Sequence, residues 1–121
     1  MSMQAIKIHT DGTIERVTII GETIKKQNDS IHKHLGGYFD IVRMGPDAVM
    51  LVDDEGLLKQ LPLNPAANLI SGYPSPLVGT ALIVGTQPGP DGDEFCDVPE
   101  RLVKFVRDLI AAAWEEDEDD G

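Results

Sequence analysis

Between Gly36 and Asn68 the chain reads GGYFDIVRMGPDAVMLVDDEGLLKQLPLNPAAN, and this stretch restricts the possible folds more than any other. Two apolar runs, Tyr38–Met44 and Ala48–Val52, flank the turn Gly45-Pro46-Asp47 and read as paired strands. Asp53-Asp54-Glu55-Gly56 turns the chain again, into Leu57–Leu61, which reads as a further strand, the fifth in chain order. Pro62-Leu63-Asn64-Pro65 then ends the extended structure. Asn64 can cap a short helix with Pro65 at its first position, running to about Ser71. A hairpin locked to a short helix is the expected centre of the fold.

The flanking segments add to the same sheet. Gln4–Thr10 alternates, with Ile6 and Ile8 on one face and Ala5, Lys7 and His9 on the other. Asp11-Gly12 is a hairpin turn, and Thr13–Ile20 is the returning strand. Glu22–Leu35 reads as a helix with Ile24, Ile31 and Leu35 on one stripe, and Gly36-Gly37 stops it. Leu77–Val84 is a sixth strand interrupted by Gly79, and Thr86–Phe95 reads as a Pro/Gly/Asp loop. Asp97-Val98-Pro99-Glu100 fits a capping box. The helix that follows buries Leu102, Val106, Leu109 and Ala113, widened by Val103, Ile110 and Trp114. Phe105 lies toward its polar margin. The expected fold is α+β: a small, mostly antiparallel sheet of about five to six strands, one internal helix, a short helix and a C-terminal amphipathic helix. Residues 1–114 form one domain and 115–121 an acidic flexible tail.

Charge is unevenly placed. The net charge is −11, yet residues 1–90 carry 9 acidic and 7 basic side chains while residues 91–121 carry 12 and 3. Glu115–Asp120 is a run of like charges at the negative end of a helix dipole and should fray. Such a chain repels nucleic acid and anionic lipid and suits a basic protein groove, or simply stays soluble. A single cysteine, Cys96, excludes an internal disulfide and fits a reducing compartment. The N-terminus MSMQAIKIHTDG has no apolar leader core, and no apolar run approaches the roughly 20 residues of a membrane span. A cytoplasmic protein with no membrane contact is expected.

Three stretches, Gly36-Gly37-Tyr38-Phe39-Asp40, Asp53–Asn64 (DDEGLLKQLPLN) and Leu77–Gly85 (LVGTALIVG), resemble in order and spacing the domain of unknown function 3846 family, small proteins of bacteriophages and mobile elements. The resemblance implies an α+β fold and a phage or mobile-element origin in a host cell, and it implies no reaction. The matching positions Gly36, Gly37, Tyr38, Gly56, Leu61, Pro62, Asn64 and Gly79 all have structural explanations: tight turns, close packing or helix capping.

No catalytic grouping stands out. His32 and His34 point about 200° apart on a helix, and His9 could approach them only through the fold, so no metal-ligand spacing is present. Cys96 has Asp93, Glu94 and Asp97 as neighbours, which disfavour a thiolate. The acidic clusters at Asp53–Glu55 and Asp91–Glu94 lack the continuation of a calcium loop, and Gly79 and Gly85 do not make a phosphate fingerprint. No cofactor is expected. The expected function is therefore non-enzymatic: binding of a host or phage protein through Phe105, Trp114, Glu115, Glu116, Asp117, Glu118, Asp119 and Asp120. Two alternatives remain open. A small ligand such as a nucleotide would bind near Tyr38, Asn64 and Tyr73, where polar handles border apolar walls; or the acids mimic DNA. Self-association through an edge strand or the apolar helix face is also compatible with the pattern.

Overall fold

A computed structural model gives the architecture; it describes the backbone of residues 2–119 and the side chains of residues 2–113. Among these residues the strands are β1 (Ser2–Ile8), β2 (Ile14–Ile20), β3 (Phe39–Arg43), β4 (Ala48–Asp53), β5 (Ala81–Gly89) and β6 (Gly92–Cys96). They form one 6-stranded sheet in the order β2-β1-β5-β4-β3, and β6 pairs with β5. Every pairing is antiparallel, with Ile6 opposite Ile83, Leu51 opposite Leu82 and Phe39 opposite Asp53. The helices are α1 (Ile24–Leu35), α2 (Pro65–Ser71) and α3 (Glu100–Asp119). The fold is α+β, as the pattern predicts.

Helices cover both faces of this sheet, and that explains the continuous apolar runs of its central strands. On one face Ile6, Ile8, Met50, Ala81 and Ile83 pack with Ala66, Ala67 and Ile70 of α2 and with Val106 and Ile110 of α3. On the other, Met3, Ala5, Ile19, Leu51, Leu82 and Val84 pack with Ile31 and Leu35 of α1. A strand with water on one side alternates; β4 is buried at each of its 6 residues because neither of its sides meets water. α1 begins with Thr23, whose hydroxyl accepts from the Lys26 amide, and ends at Gly36 in the left-handed region. No helix among the described residues is long and apolar enough to cross a membrane.

Five expectations fail. Leu57–Leu61 is not a strand. It belongs to a helical turn in which the Lys59 amide donates to the Glu55 carbonyl (2.9 Å), and Gln60 and Leu61 donate back to Leu57 and Gly56. Gln60 stands at φ 56, closing the turn as a Schellman-type cap. Thr86–Phe95 is not a loop: it is the outer half of β5, a tight turn and β6, with Thr86 opposite Phe95 and Gly89 opposite Gly92. Prolines are tolerated there because β4 has ended opposite Gly85, so this ladder has one neighbour only. The strand expected from Leu77 starts at Ala81; before it, Val78 makes an isolated bridge to Leu63. Asp97 does not cap α3, because its carboxylate accepts the Gln4 amide (2.8 Å) and Glu100 pairs with Arg16. Ile24 is 72% exposed, since α1 buries only its later turns.

Asn64 ties the layers together. It is fully buried. Its amide nitrogen donates to the Ile8 carbonyl (3.1 Å) and the Gly79 carbonyl (2.9 Å), and its oxygen accepts the Ala67 amide (3.0 Å). One side chain thus caps α2 and pins it to β1 and to the strand-leading segment before β5. Asn64→Ala removes two buried hydrogen bonds to backbone carbonyls together with the cap on the Ala67 amide. We expect a loss of about 3 kcal/mol in urea unfolding; a loss below about 1 kcal/mol contradicts this role.

Candidate functional site

The helical turn after β4 is held by a clamp. Asp53 is buried at the end of β4. The Lys59 ammonium lies 2.8 Å from its Oδ2, and the Glu55 amide donates to its Oδ1 at 2.8 Å. Burial pushes the Asp53 carboxyl up, but the Lys59 hydrogen bond, the Glu55 amide and the Lys59 charge outweigh it and hold the group below its ordinary range. Lys59 also donates to the Gly36 carbonyl at 3.2 Å, so the same ammonium fastens the end of α1 to the turn. Gly37 leaves room for it: a Cβ there would stand 2.7 Å from the ammonium nitrogen.

The rest of the turn is fastened from the other side. A Cβ on Gly56 would lie 2.6 Å from a Val78 methyl. Gly79 adopts φ +78 and lies against Leu61, donating its amide to the Pro62 carbonyl at 2.8 Å. The Asp54 amide donates to the Tyr38 carbonyl at 3.1 Å. The stretches Gly36–Asp40, Asp53–Asn64 and Leu77–Gly85, separate in sequence, therefore meet in one knot.

What the knot presents is apolar. Leu57 is 76% exposed and Leu58 84% exposed, side by side on a turn whose ends are fixed. With Ile41, Tyr73 and Pro76 they border a groove of about 570 Å³ beside β3. β3 ends the sheet, so its outer edge has no strand neighbour among the described residues. An extended segment could add to that edge and lay its apolar side chains on the leucines. The strand pattern of Leu57–Leu61 hides this pair in the sequence.

The residues expected at a ligand site do not converge. Asn64 uses its amide within the fold. Tyr38 packs edge-on against His32, with ring centroids 4.6 Å apart, and lines a groove along α1. Tyr73 lines the groove beside β3 instead. The Cys96 thiol is pushed up by burial and by Asp97, Asp47 and Glu94, opposite to the shift a nucleophile needs. Phe105 on α3 is exposed at the surface. The α3 backbone continues to Asp119, and the side chains of Trp114, Glu115, Glu116, Asp117, Glu118 and Asp119, like the whole of Asp120, lie outside the described residues.

A family model described as a domain of unknown function (DUF3846) matches residues 3–111. No curated protein matches the chain in sequence. Among solved structures, the chain is similar to a part of the one titled "Crystal structure of small RNA methyltransferase HEN1", with TM-score 0.64 and 18% identity, over 88% of this chain. It spans 16% of that much longer chain, and at this identity the likeness concerns the fold alone.

The clamp has a pH signature. Because Asp53 is held below its ordinary value in the folded chain, it stabilises the fold above the unfolded carboxylate pKa. That contribution disappears as the pH falls through the lowered folded value. In Lys59→Met the burial remains and the ammonium is gone, so the folded pKa of Asp53 rises. We expect the variant to unfold at lower urea than the parent at neutral pH. The gap should narrow as the pH falls from about 5 to about 3; a gap independent of pH contradicts the clamp.

Proposed function

The chain belongs to the DUF3846 family, whose description assigns no reaction, and we propose that it acts without catalysis, by binding another protein through the leucine turn and the groove beside β3. The setting we propose is that of a bacteriophage or mobile-element accessory protein whose partner is a host or phage protein inside the host cell. The three stretches that suggested this setting are the ones that build the knot. The observation that carries the reading is the exposure of Leu57 and Leu58 on a fixed turn. Burying a leucine side chain is worth about 1.5–3 kcal/mol, and a turn fixed in advance loses little conformational entropy when a partner covers it. The free edge of β3 adds unpaired backbone groups that an extended segment can satisfy. Phe105 and the acidic end of α3 offer a second, weaker contact, of use mainly in steering a basic partner.

The test is affinity capture from host lysate with three immobilised proteins: the full chain, Leu57→Asp/Leu58→Asp, and a chain ending at Ala113. Both leucines are at the surface, so the double variant should keep its stability within about 1 kcal/mol. We expect the full chain and the shortened chain to retain the same partner and the double aspartate variant to lose it. Equal capture by the full chain and the aspartate variant contradicts the reading; loss only in the shortened chain moves the contact to the acidic end.

A further inference from the structure

A second concavity lies across β3 from the leucine turn, on the α1 face of the sheet. Its walls are the first turns of α1, β3 and the β5–β6 hairpin, and its volume is about 600 Å³. That lies within the range of about 300–1,000 Å³ usual for ligand sites and exceeds what one side chain fills. The apolar floor is Met3, Ile24, Phe39, Ile41 and Phe95. Phe39 and Phe95 stand with ring centroids 6.1 Å apart, and His32 approaches Phe39 edge-on at 6.2 Å. Ile24 and Ile41 are both exposed on this floor.

The rim is anionic. Glu22, Asp93, Glu94 and Asp97 line the cleft, and among the described residues no lysine or arginine does. Asp97 is partly used by the Gln4 amide, and Asp93 stands 3.6 Å from Arg43 in a solvent-exposed pair. Glu22 and Glu94 make no ion pair among the described residues. The same negative field contributes to the raised Cys96 thiol. Aromatic rings below and carboxylates above suit a cation with an apolar body, since a guanidinium or ammonium is attracted by both.

We propose that this cleft receives a basic residue, arginine or lysine, with apolar neighbours, from an extended peptide segment of the partner. Continuity argues for a peptide: Ile41 lines both this cleft and the groove beside β3. One extended chain running along the edge of β3 sends alternate side chains to opposite faces, and so reaches the leucines with its apolar side chains and the cleft with its basic one. The inference deepens the protein-binding reading and rests on it, while naming the chemistry of the segment bound.

The test is a titration of the ¹⁵N-labelled full chain, followed by amide chemical shifts, with acetyl-Leu-Arg-Leu-Arg-Leu-amide and with its Gln-for-Arg counterpart. The arginine peptide should move the amides of Ile24, Phe39 and Phe95. Its dissociation constant should rise about fivefold in Glu22→Gln/Glu94→Gln, the loss of two exposed charge contacts. It should also weaken with added salt. Equal binding of the two peptides, or shifts confined to residues 115–120, would overturn the proposal. Repeating the titration on Leu57→Asp/Leu58→Asp separates the two readings: cleft shifts that persist there support the cleft whatever becomes of the leucine contact. Lysate capture that survives Glu22→Gln/Glu94→Gln while the peptide loses no affinity overturns the cleft alone.

Discussion

A carboxylate taken out of water must be met by a cation or by several donors, or the fold that buries it loses stability. Asp53 is met by both: the Lys59 ammonium at 2.8 Å and the Glu55 amide at 2.8 Å. This pairing decides the path of the chain after β4. A lysine six residues beyond its aspartate can return to it only if the intervening residues coil, and they coil into the turn that carries Leu57 and Leu58 outward. The ammonium's further bond to the Gly36 carbonyl brings the end of α1 to the same point. The surface proposed for binding is therefore a consequence of a buried charge being satisfied.

The sheet supplies the platform. Its central strands have helices on both faces, which leaves the edges of the sheet open to a partner. β3 is such an edge, with the leucine groove on one side and the acidic, aromatic cleft on the other, joined at Ile41. Asn64 holds α2 against β1 through a set of buried hydrogen bonds, and so fixes the segment that the knot grips through Pro62 and Gly79. Exposed leucines are useful to a partner only when something else keeps them from collapsing inward, and the knot does this.

Much of the architecture was legible in the chain. Alternation in β1 assigned Ile6 and Ile8 to one face and Ala5 to the other. Asn64-Pro65 announced α2, and Gly36 announced the end of α1. The errors have physical causes that a local window does not show. Asp97 has the composition of a cap but is taken by Gln4, 93 positions away. Pro88 and Gly89 look like loop residues, and only the early end of β4 makes room for them in a strand. Asp53 looked like one of three acids on a surface turn, because nothing local says that it is buried or that Lys59 folds back on it. The family stretches were legible as separate motifs; their meeting in one place was not. The candidate site was least legible, since an exposed leucine is indistinguishable from a core leucine until the strand it was assigned to fails to form.

The leucine surface exists only if Lys59 holds the turn in place. Backbone ¹⁵N relaxation across residues 53–61 measures this directly. We expect order parameters near those of rigid backbone, about 0.85, in the parent chain, falling for Gly56–Gln60 in Lys59→Met while β4 and β5 stay unchanged. Values below about 0.6 in the parent chain, or no change on removing the ammonium, would contradict it.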